Sequence, residues 1–391
     1  MHASLPKLAA AAAALLLASS VAAEQGVTDD SVTFAQVAAL EGPAAGLGLG
    51  MKAGLEAAFA EANRNGGIHG RQIYLESFDD GYEPDKSIAQ ITQVIESDKY
   101  IGLIGPVGTP TTLVTQPIAT EAEFPFIGPF TGAGFLRDAS HGNIFNVRAT
   151  YAAETEAWMQ YLVDSLGMTN IAMLYQDDGF GYVGLDGVEK ALDRRGMKLS
   201  AQGTYTRNTL EVTEALDTIE AANPEAVVMV GAYAPCAEFI KQAKARGMDP
   251  VFVNISFVGS NALSRELGEQ GEGVIVSQVV PFPLNSSIPA IAEYQSSLLL
   301  SGMAAELGFV SLEGYLVGRL AVEALRNSGP KLTREKYLNS FNSLRSVDLG
   351  GIELVYDDGD NQGSDAVYLT RITDNGSFEA VVVDGKTNLG Q

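Results

Sequence analysis

Two patterns alternate through most of the chain: short apolar runs rich in β-branched residues, and longer stretches in which apolar residues recur at helical spacing. In the first such stretch, Leu47, Met51, Leu55 and Phe59 recur every four positions and predict one buried face of a helix. Strands are predicted at the runs "SVTFAQVAAL", "QIYLESF", "YIGLIG" and "PFIGPF". Strand–helix alternation predicts a mostly parallel sheet that helices cover on both faces.

The same alternation restarts in the middle of the chain and predicts a second α/β unit of similar size. Its strands are predicted at "IAMLYQ", "KLSAQGTY", "EAVVMVGAY" and "PVFVNIS", and strand-like "GIELVY" and "DAVYLTRI" follow a long helical region after Pro281. The 391 residues exceed what one hydrophobic core usually serves. Because no Pro-rich or Ser-rich linker separates the halves, we expect two α/β lobes that move as rigid bodies around a cleft.

The N-terminal 23 residues have the composition of a signal peptide rather than of a folded segment. Lys7 precedes an apolar run from Leu8 to Ala18, and the segment ends in Val21-Ala22-Ala23. The apolar run is too short to span a bilayer. We therefore predict cleavage before Glu24 and export to the periplasm as a soluble protein without a lipid anchor. Cys236 is the only cysteine, so an internal disulfide is excluded.

Charge and motif content exclude several functional classes. The formal net charge of -23 disfavours nucleic acid and anionic membranes as partners. The chain has no H-E-x-x-H, G-x-S-x-G or Cys/His arrangement, and "GLGLG" lacks the spacing of a dinucleotide-binding loop. We therefore expect a protein that is not an enzyme and has no catalytic residues, no cofactor and no metal site.

Two predicted strands end in residues with small side chains. These are the segments "IGLIGPVGTPTT" and "FPFIGPFTGAGFLR". In open parallel sheets, ligands bind beyond the carboxyl ends of the strands. Thr109 offers a hydroxyl just before a helix, whose start suits a carboxylate, and we expect the amides of Thr131 and Gly132 to be accessible. From these residues alone, two ordinary strand-to-helix turns explain the pattern equally well.

Several segments together resemble the periplasmic leucine/isoleucine/valine-binding protein family, the solute-binding subunits of ABC importers. The resemblance covers essentially the whole mature chain and implies a type I periplasmic-binding fold, with two Rossmann-like lobes joined by three crossover strands. It implies a monomer that delivers its solute to a membrane permease. Lobe one is then about 24–147 plus 281–362, and lobe two about 148–280 plus 363–391. The segments are "GLGLGMKAGLEAAFAEANRNGGIHGRQIYLESFDDGYEPDKS", "GLIGPVGTPTT", "FPFIGPF" and "AEFIKQAKARGM".

The resemblance assigns ligand-binding roles to individual positions. Thr109 matches the hydroxyl residue that binds the ligand carboxylate. Phe130 matches a backbone contact to the head group, but Gly132 stands where the family has a Thr hydroxyl, so Thr131 is expected to replace it. The family's Glu for the ligand ammonium falls at or near Ser256. Tyr233 and Phe180 match two aromatic positions of lobe two, while Tyr82 and Gly108 stand where the family has a disulfide near the cleft.

The neutral Ser256 predicts weak recognition of an α-amino group, unless Glu154 or Asp177 reaches the cleft. Tyr151, which opens lobe two, is predicted either to face the cleft or to pack in the core or at the hinge. The solute is thus expected to be an amino acid, most simply a branched-chain one, with aromatic acids or amides as the alternative. A sensory module of the same fold is the alternative role, and an enzyme is third.

Overall fold

The computed structural model describes residues 25–138, 140–356, 360–383 and 386–387. The predicted signal peptide and its cleavage site lie outside the described residues. The first sheet is entirely parallel and has the order β2-β1-β3-β4-β5. Its strands are β1 (Ser31–Ala38), β2 (Gln72–Asp79), β3 (Leu103–Ile104), β4 (Phe126–Ile127) and β5 (Ile144–Phe145).

The second sheet has seven strands in the order β14-β13-β10-β9-β8-β6-β7. Its parallel part consists of β6 (Ile171–Gln176), β7 (Ala201–Tyr205), β8 (Ala226–Val230), β9 (Val251–Asn254) and β10 (Ile275–Gln278). A separate hairpin, β11 (Ser346–Asp348) and β12 (Glu353–Val355), comes next in the chain. The antiparallel strands β13 (Tyr368–Ile372) and β14 (Phe378–Ala380) then complete the second sheet. A short hairpin, β15 (Val382–Val383) and β16 (Lys386–Thr387), ends the described chain.

Helices connect the strands of both sheets, as the alternating sequence pattern predicts. They are α1 (Ala45–Arg64), α2 (Pro84–Glu96), α3 (Thr109–Glu121), α4 (Tyr151–Met159), α5 (Gly179–Asp193), α6 (Thr213–Ala221), α7 (Tyr233–Ala245), α8 (Ser260–Leu267), α9 (Pro289–Leu300), α10 (Phe309–Asn327) and α11 (Arg334–Asn342). Local sequence fixes several of their starts. Thr150 caps α4 by accepting from Ala153 N–H (3.1 Å), and Asp178 caps α5 by accepting from Phe180 N–H (2.9 Å). None of the helices in the described ranges is both long and apolar enough to cross a bilayer.

Two strands are shorter than the sequence predicts, and a glycine ends each of them. "YIGLIG" and "PFIGPF" form only β3 and β4, which end before Gly105 (φ 56°) and Gly128 (φ 59°), two residues in left-handed backbone conformations. Pairing resumes beyond the bends as a parallel bridge between Val107 and Phe130. A side chain at Gly128 is excluded, since its Cβ would lie 2.3 Å from Val317 Cγ1. The bends therefore set the path on which both segments enter the space between the lobes.

The crossover segments between the sheets are held together by buried asparagines. Asn146 and Gln362 pair as a parallel bridge, and Asn146 N–H donates to Asn361 O (2.7 Å). The side chain of Asn361 donates to Leu136 O (2.9 Å) and Ile144 O (3.2 Å). These bonds hold the segment that follows β5 beside the segment that precedes β13. The predicted two-lobed α/β fold is confirmed, whereas the residue boundaries of the lobes stay a prediction.

The two lobes are in direct contact across the cleft. Glu83, from the lobe of the first sheet, accepts from Arg207 Nη2 (2.8 Å) and from Asn208 Nδ2 (2.7 Å), which follow β7 in the other lobe. At a second point, Asn261 Nδ2 of α8 donates to Leu307 O (2.7 Å). The structure thus describes a closed conformation, and groups between the lobes are withdrawn from water.

Candidate functional site

The two bent strand ends bring Thr109 and Thr131 side by side. Their Oγ1 atoms are 2.7 Å apart, and both residues are buried. Thr109 is the first residue of α3, so its hydroxyl lies at the helix start, where the positive end of the helix dipole favours an anion. The sequence predicted both residues, and the structure brings them together between the lobes.

The backbone N–H and C=O groups next to this threonine pair are less available for hydrogen bonds to a ligand than the sequence suggests. Phe130 N–H donates to Pro106 O (2.8 Å), and Phe130 O accepts from Gly108 N–H (3.2 Å). Thr131 N–H donates to Pro129 O (2.9 Å). The expectation of an accessible Thr131 amide is therefore wrong for this conformation. The ring of Phe130, rather than its backbone, is the part that contacts other site residues.

Gly132 makes room for a residue of the second lobe. A Cβ at Gly132 would lie 2.6 Å from both N and Cδ1 of Tyr151. Tyr151 N–H donates to Gly132 O (2.9 Å). Tyr151 is fully buried and begins α4; burial raises the pKa of its phenol, which stays protonated and able to donate. Both roles predicted for Tyr151 stay predictions, since its ring is fully buried in the hydrophobic core between the lobes.

Aromatic rings from both lobes meet beside the threonine pair. Phe180, at the capped start of α5, lies 5.5 Å from the Tyr151 ring and 4.7 Å from the Phe257 ring, between centroids. Phe257 in turn contacts Phe130 (5.4 Å) and Tyr82 (5.8 Å). Phe257 and Tyr82 were not predicted as ligand-binding residues. These five rings form an apolar wall that suits an aliphatic or aromatic side chain.

Tyr233 occupies a different part of the cleft. It begins α7, is half-buried, and its hydroxyl accepts from Gly46 N–H (3.3 Å) at the start of α1. Its ring also lies beside the turn at Gly259. Tyr233 thus bridges the lobes, but the structure does not bring it together with Thr109 and Thr131.

Ser256 lies against a buried carboxylate, Glu154. One carboxylate oxygen of Glu154 accepts from Ser256 N–H (2.9 Å) and Ser277 Oγ (2.5 Å), and the other accepts from Ser256 Oγ (2.8 Å) and Arg148 Nη2 (3.1 Å). Ser256 is therefore not part of a neutral environment, because Glu154 does reach the cleft. All four bonds to this carboxylate come from the protein itself.

Arg148 is the cation at the centre of this group, and sequence reasoning missed it. Its side chain is fully buried, its Nη2 also contacts Ser256 Oγ, and its guanidinium lies 5.0 Å from the Phe130 ring and 5.6 Å from the Tyr151 ring. Nε and Nη1 have no hydrogen-bond partner among the described residues. Burial alone lowers the pKa of Arg148, but the charges of Glu313 and Glu154 outweigh burial and raise it.

Glu313 of α10 is the second carboxylate beside Arg148. Its Oε1 lies 3.6 Å from Arg148 Nη1, an ion pair that is too long for a hydrogen bond. Burial raises the pKa of Glu313 to about 7, although the charge of Arg148 opposes this shift. A signal for both residues was present in the sequence, since "NVRAT" and "FVSLEGYLV" each place one charge in an otherwise uncharged run. Such a charge is expected to be buried with a partner.

The site offers paired hydroxyls, a guanidinium with unmatched donors, two carboxylates and an aromatic wall. In the part of the chain that the structure describes, no three His, Cys, Asp or Glu side chains are grouped so that they could hold a metal ion.

Comparisons with known proteins agree with this architecture. The model of the family described as "Periplasmic binding protein" matches residues 31–377. The Leu/Ile/Val/Thr-binding protein of Salmonella typhimurium is 22% identical over 250 residues, which cover 64% of this chain and 68% of that protein.

Solved structures give the same result. The crystal structure of a possible leucine/isoleucine/valine-binding protein from Rhodopirellula baltica has 34% identity and a TM-score of 0.84, and the match covers 91% of this chain and 97% of that one. A fatty acid ABC transporter substrate-binding protein from Thermomonospora curvata shares the fold with 19% identity and a TM-score of 0.83, over 92% and 93% of the two chains. The chain therefore belongs to the periplasmic binding protein family.

Proposed function

We propose that this protein captures a small carboxylated solute between its lobes and delivers it to the permease of an ABC importer. The observation that carries the proposal is the position of the donor groups: Thr109, Thr131 and Arg148 are buried between two lobes that contact each other. Donors of this kind bind a carboxylate. Because they are buried in the closed form, a solute reaches them only when the lobes separate, as expected of a receptor that traps its ligand.

The relatives' names define the range of solutes to test. The Salmonella protein is named for Leu, Ile, Val and Thr, and the Thermomonospora protein is named for a fatty acid. An amino acid, most simply a branched-chain one, is our first choice of solute. The aromatic wall around Phe257 favours aromatic or long aliphatic acids as the second choice. Export, a monomeric state and release of the solute without turnover belong to the same proposal.

Thermal unfolding with a panel of amino acids, their deaminated acids and their amides tests the proposal. A ligand at a hundred times its Kd stabilises the folded state by about 2.7 kcal/mol, which raises the melting temperature by a few degrees. Leucine or 4-methylpentanoate is expected to stabilise, whereas leucinamide, which lacks the carboxylate, is the matched control. Stabilisation by the amide alone, or by no member of the panel, would contradict capture of a carboxylated solute.

Delivery to a permease is tested separately. The liganded protein is expected to stimulate ATP hydrolysis by its partner ABC transporter when that transporter is reconstituted in vesicles. Stimulation should require both the binding protein and its solute. Solute binding without any stimulation would favour the sensory role instead.

A further inference from the structure

Hydrogen bonding in the charged part of the cleft is satisfied for Glu154 and incomplete for Arg148. Glu154 accepts four bonds from protein groups, which fills both of its oxygens. Arg148, in contact with it, has two nitrogens without a partner among the described residues. Because unmatched buried donors are costly, the group that completes the hydrogen bonding of Arg148 is an acceptor, and beside a guanidinium the favoured acceptor is an anion.

The place for this anion is next to Glu313. Arg148 Nη1 points toward Glu313 Oε1, yet the 3.6 Å between them leaves the N–H without a hydrogen bond. A ligand carboxylate that accepts from Nη1 would lie beside the Glu313 carboxyl group. Two carboxylates this close cannot both stay ionised in a buried site, so one of them takes up a proton.

The other charged groups that face Glu313 determine the net charge of the site. Arg148 and Arg137 are cations, and Glu154 is an anion whose acceptor positions are filled. Burial and the neighbouring Arg148 lower the pKa of Arg137 to about 9, so it remains charged at neutral pH. With Glu313 ionised, these four groups sum to zero. A monoanionic ligand preserves that neutrality only if Glu313 becomes protonated, whereas a zwitterion preserves it without any proton.

On the basis of the proposed function, we propose that Arg148 is the residue that holds the solute's carboxylate. The solute is then a carboxylic acid without an α-ammonium group, and it binds together with one proton on Glu313. The proton comes from solvent and forms the O–H bond of the Glu313 carboxyl group. Thr109 and Thr131 then orient the solute, and the aromatic wall holds its apolar part.

Calorimetric titrations with 4-methylpentanoate and leucine, each in two buffers of different ionisation enthalpy, test this proposal. For 4-methylpentanoate we expect uptake of close to one proton above neutral pH. With a Glu313 pKa of about 7, the fraction of the protein in which Glu313 is protonated, the form that binds the acid, falls as the pH rises. Binding is therefore about tenfold weaker at about pH 8 than at about pH 6. Leucine is expected to bind more weakly than its deaminated twin.

Two variants separate the proposal from its alternatives. Glu313→Gln mimics the protonated carboxyl group, so it should bind 4-methylpentanoate at about pH 8 as tightly as the unmodified protein does at about pH 6, without proton uptake. Glu323→Gln, in the same helix and paired at the surface with Arg326, is the control and should keep the pH dependence. Arg148→Lys retains the charge and is expected to weaken binding at least tenfold, because its ammonium lacks the planar donor geometry.

The outcomes are distinguishable. Tight leucine binding without proton uptake, lost in Glu313→Gln, would show that Glu313 holds an ammonium group; it would overturn this inference and leave the proposed function intact. A pH-independent affinity for 4-methylpentanoate would also overturn it. If phenylpropanoate and phenylalanine reproduce the contrast between acid and amino acid, the inference holds for a second side chain. Failure of all four compounds to bind would overturn the proposed function as well.

Discussion

The two polar parts of the cleft are built in different ways. The hydroxyl part, Thr109 and Thr131, comes from two neighbouring strand ends of one sheet and is neutral. The charged part, Arg148, Glu154 and Glu313, comes from a crossover segment and two helices that are distant in sequence, and its members are held by one another. The hydroxyl part is therefore expected to affect mainly ligand affinity, whereas the charged part affects both the stability of the fold and the ligand's charge.

The largest expected effect is the loss of unfolding free energy when the charged part loses its cation. Arg148→Met leaves Glu154 buried without its cation, and removal of one partner from a buried pair costs about 3–5 kcal/mol. Urea denaturation should show this loss of unfolding free energy. Lys190→Met is the control, because Lys190 and its partner Asp186 are both exposed and such pairs contribute about 0–1 kcal/mol. Equal losses in the two variants would remove the distinction between the charged part and a surface ion pair.

The next effect is the pH dependence of stability caused by Glu313. A carboxyl group whose pKa is higher in the folded than in the unfolded chain binds its proton more tightly when folded. Its contribution to stability is therefore present below its ordinary value of 4.5 and is lost as the pH rises to about 7. The loss is roughly 3 kcal/mol. We expect Glu313→Gln to lack this loss in urea denaturation at about pH 4 and about pH 8. If the unfolding free energy of Glu313→Gln and of the unmodified protein depends on pH in the same way, the burial of the Glu313 carboxyl group would be contradicted.

The hydroxyl part should give a smaller effect that is confined to binding. A hydrogen bond to a charged partner contributes roughly 1.5–3 kcal/mol. Thr109→Ala is therefore expected to weaken a carboxylate ligand about ten- to a hundredfold in calorimetry, with the melting temperature of the free protein little changed. Thr109→Ser keeps the hydroxyl and should retain most of the affinity. If both variants bind as the unmodified protein does, Thr109 does not contact the ligand.

The smallest expected effect concerns the contact between the lobes. Glu83→Gln removes the charge that Arg207 and Asn208 bind across the cleft. This half-exposed contact contributes about 0–1 kcal/mol to the closed form, so ligand affinity should fall no more than about fivefold. Small-angle scattering should show a larger mean radius without ligand and the same radius at saturation. A radius that does not respond to ligand in either protein would argue against closure of the lobes.

The fold was predictable because its signals are local. Most strands of the two sheets lie in apolar runs that the sequence analysis identified, although β5 and β10 were not predicted, and the family resemblance supplied the two-lobed arrangement. The prediction failed where tertiary contacts decide. The strand runs ending at Gly105 and at Phe130 were predicted too long; neither the left-handed glycines that end them nor the lack of space for a side chain at Gly128 beside Val317 is visible in apolar periodicity.

The site was predictable only in its neutral part. Thr109 and Thr131 follow strand ends, a position that marks the ligand edge of a parallel sheet. Arg148 and Glu313 are 165 positions apart in the chain, by subtraction of their residue numbers, and only the packing of α10 against the crossover brings them together. Gly132 illustrates the same limit, since its missing side chain admits Tyr151 rather than leaving open space.

A crystal structure of the complex with 4-methylpentanoate would test the central claim most directly. The account predicts closed lobes, with a carboxylate oxygen of the ligand about 3 Å from Arg148 Nη1. It also predicts that the apolar chain of the ligand lies against Phe257 and Phe180. A carboxylate held only by Thr109 and Gly132, with Arg148 still paired to Glu154 and Glu313 alone, would contradict the account.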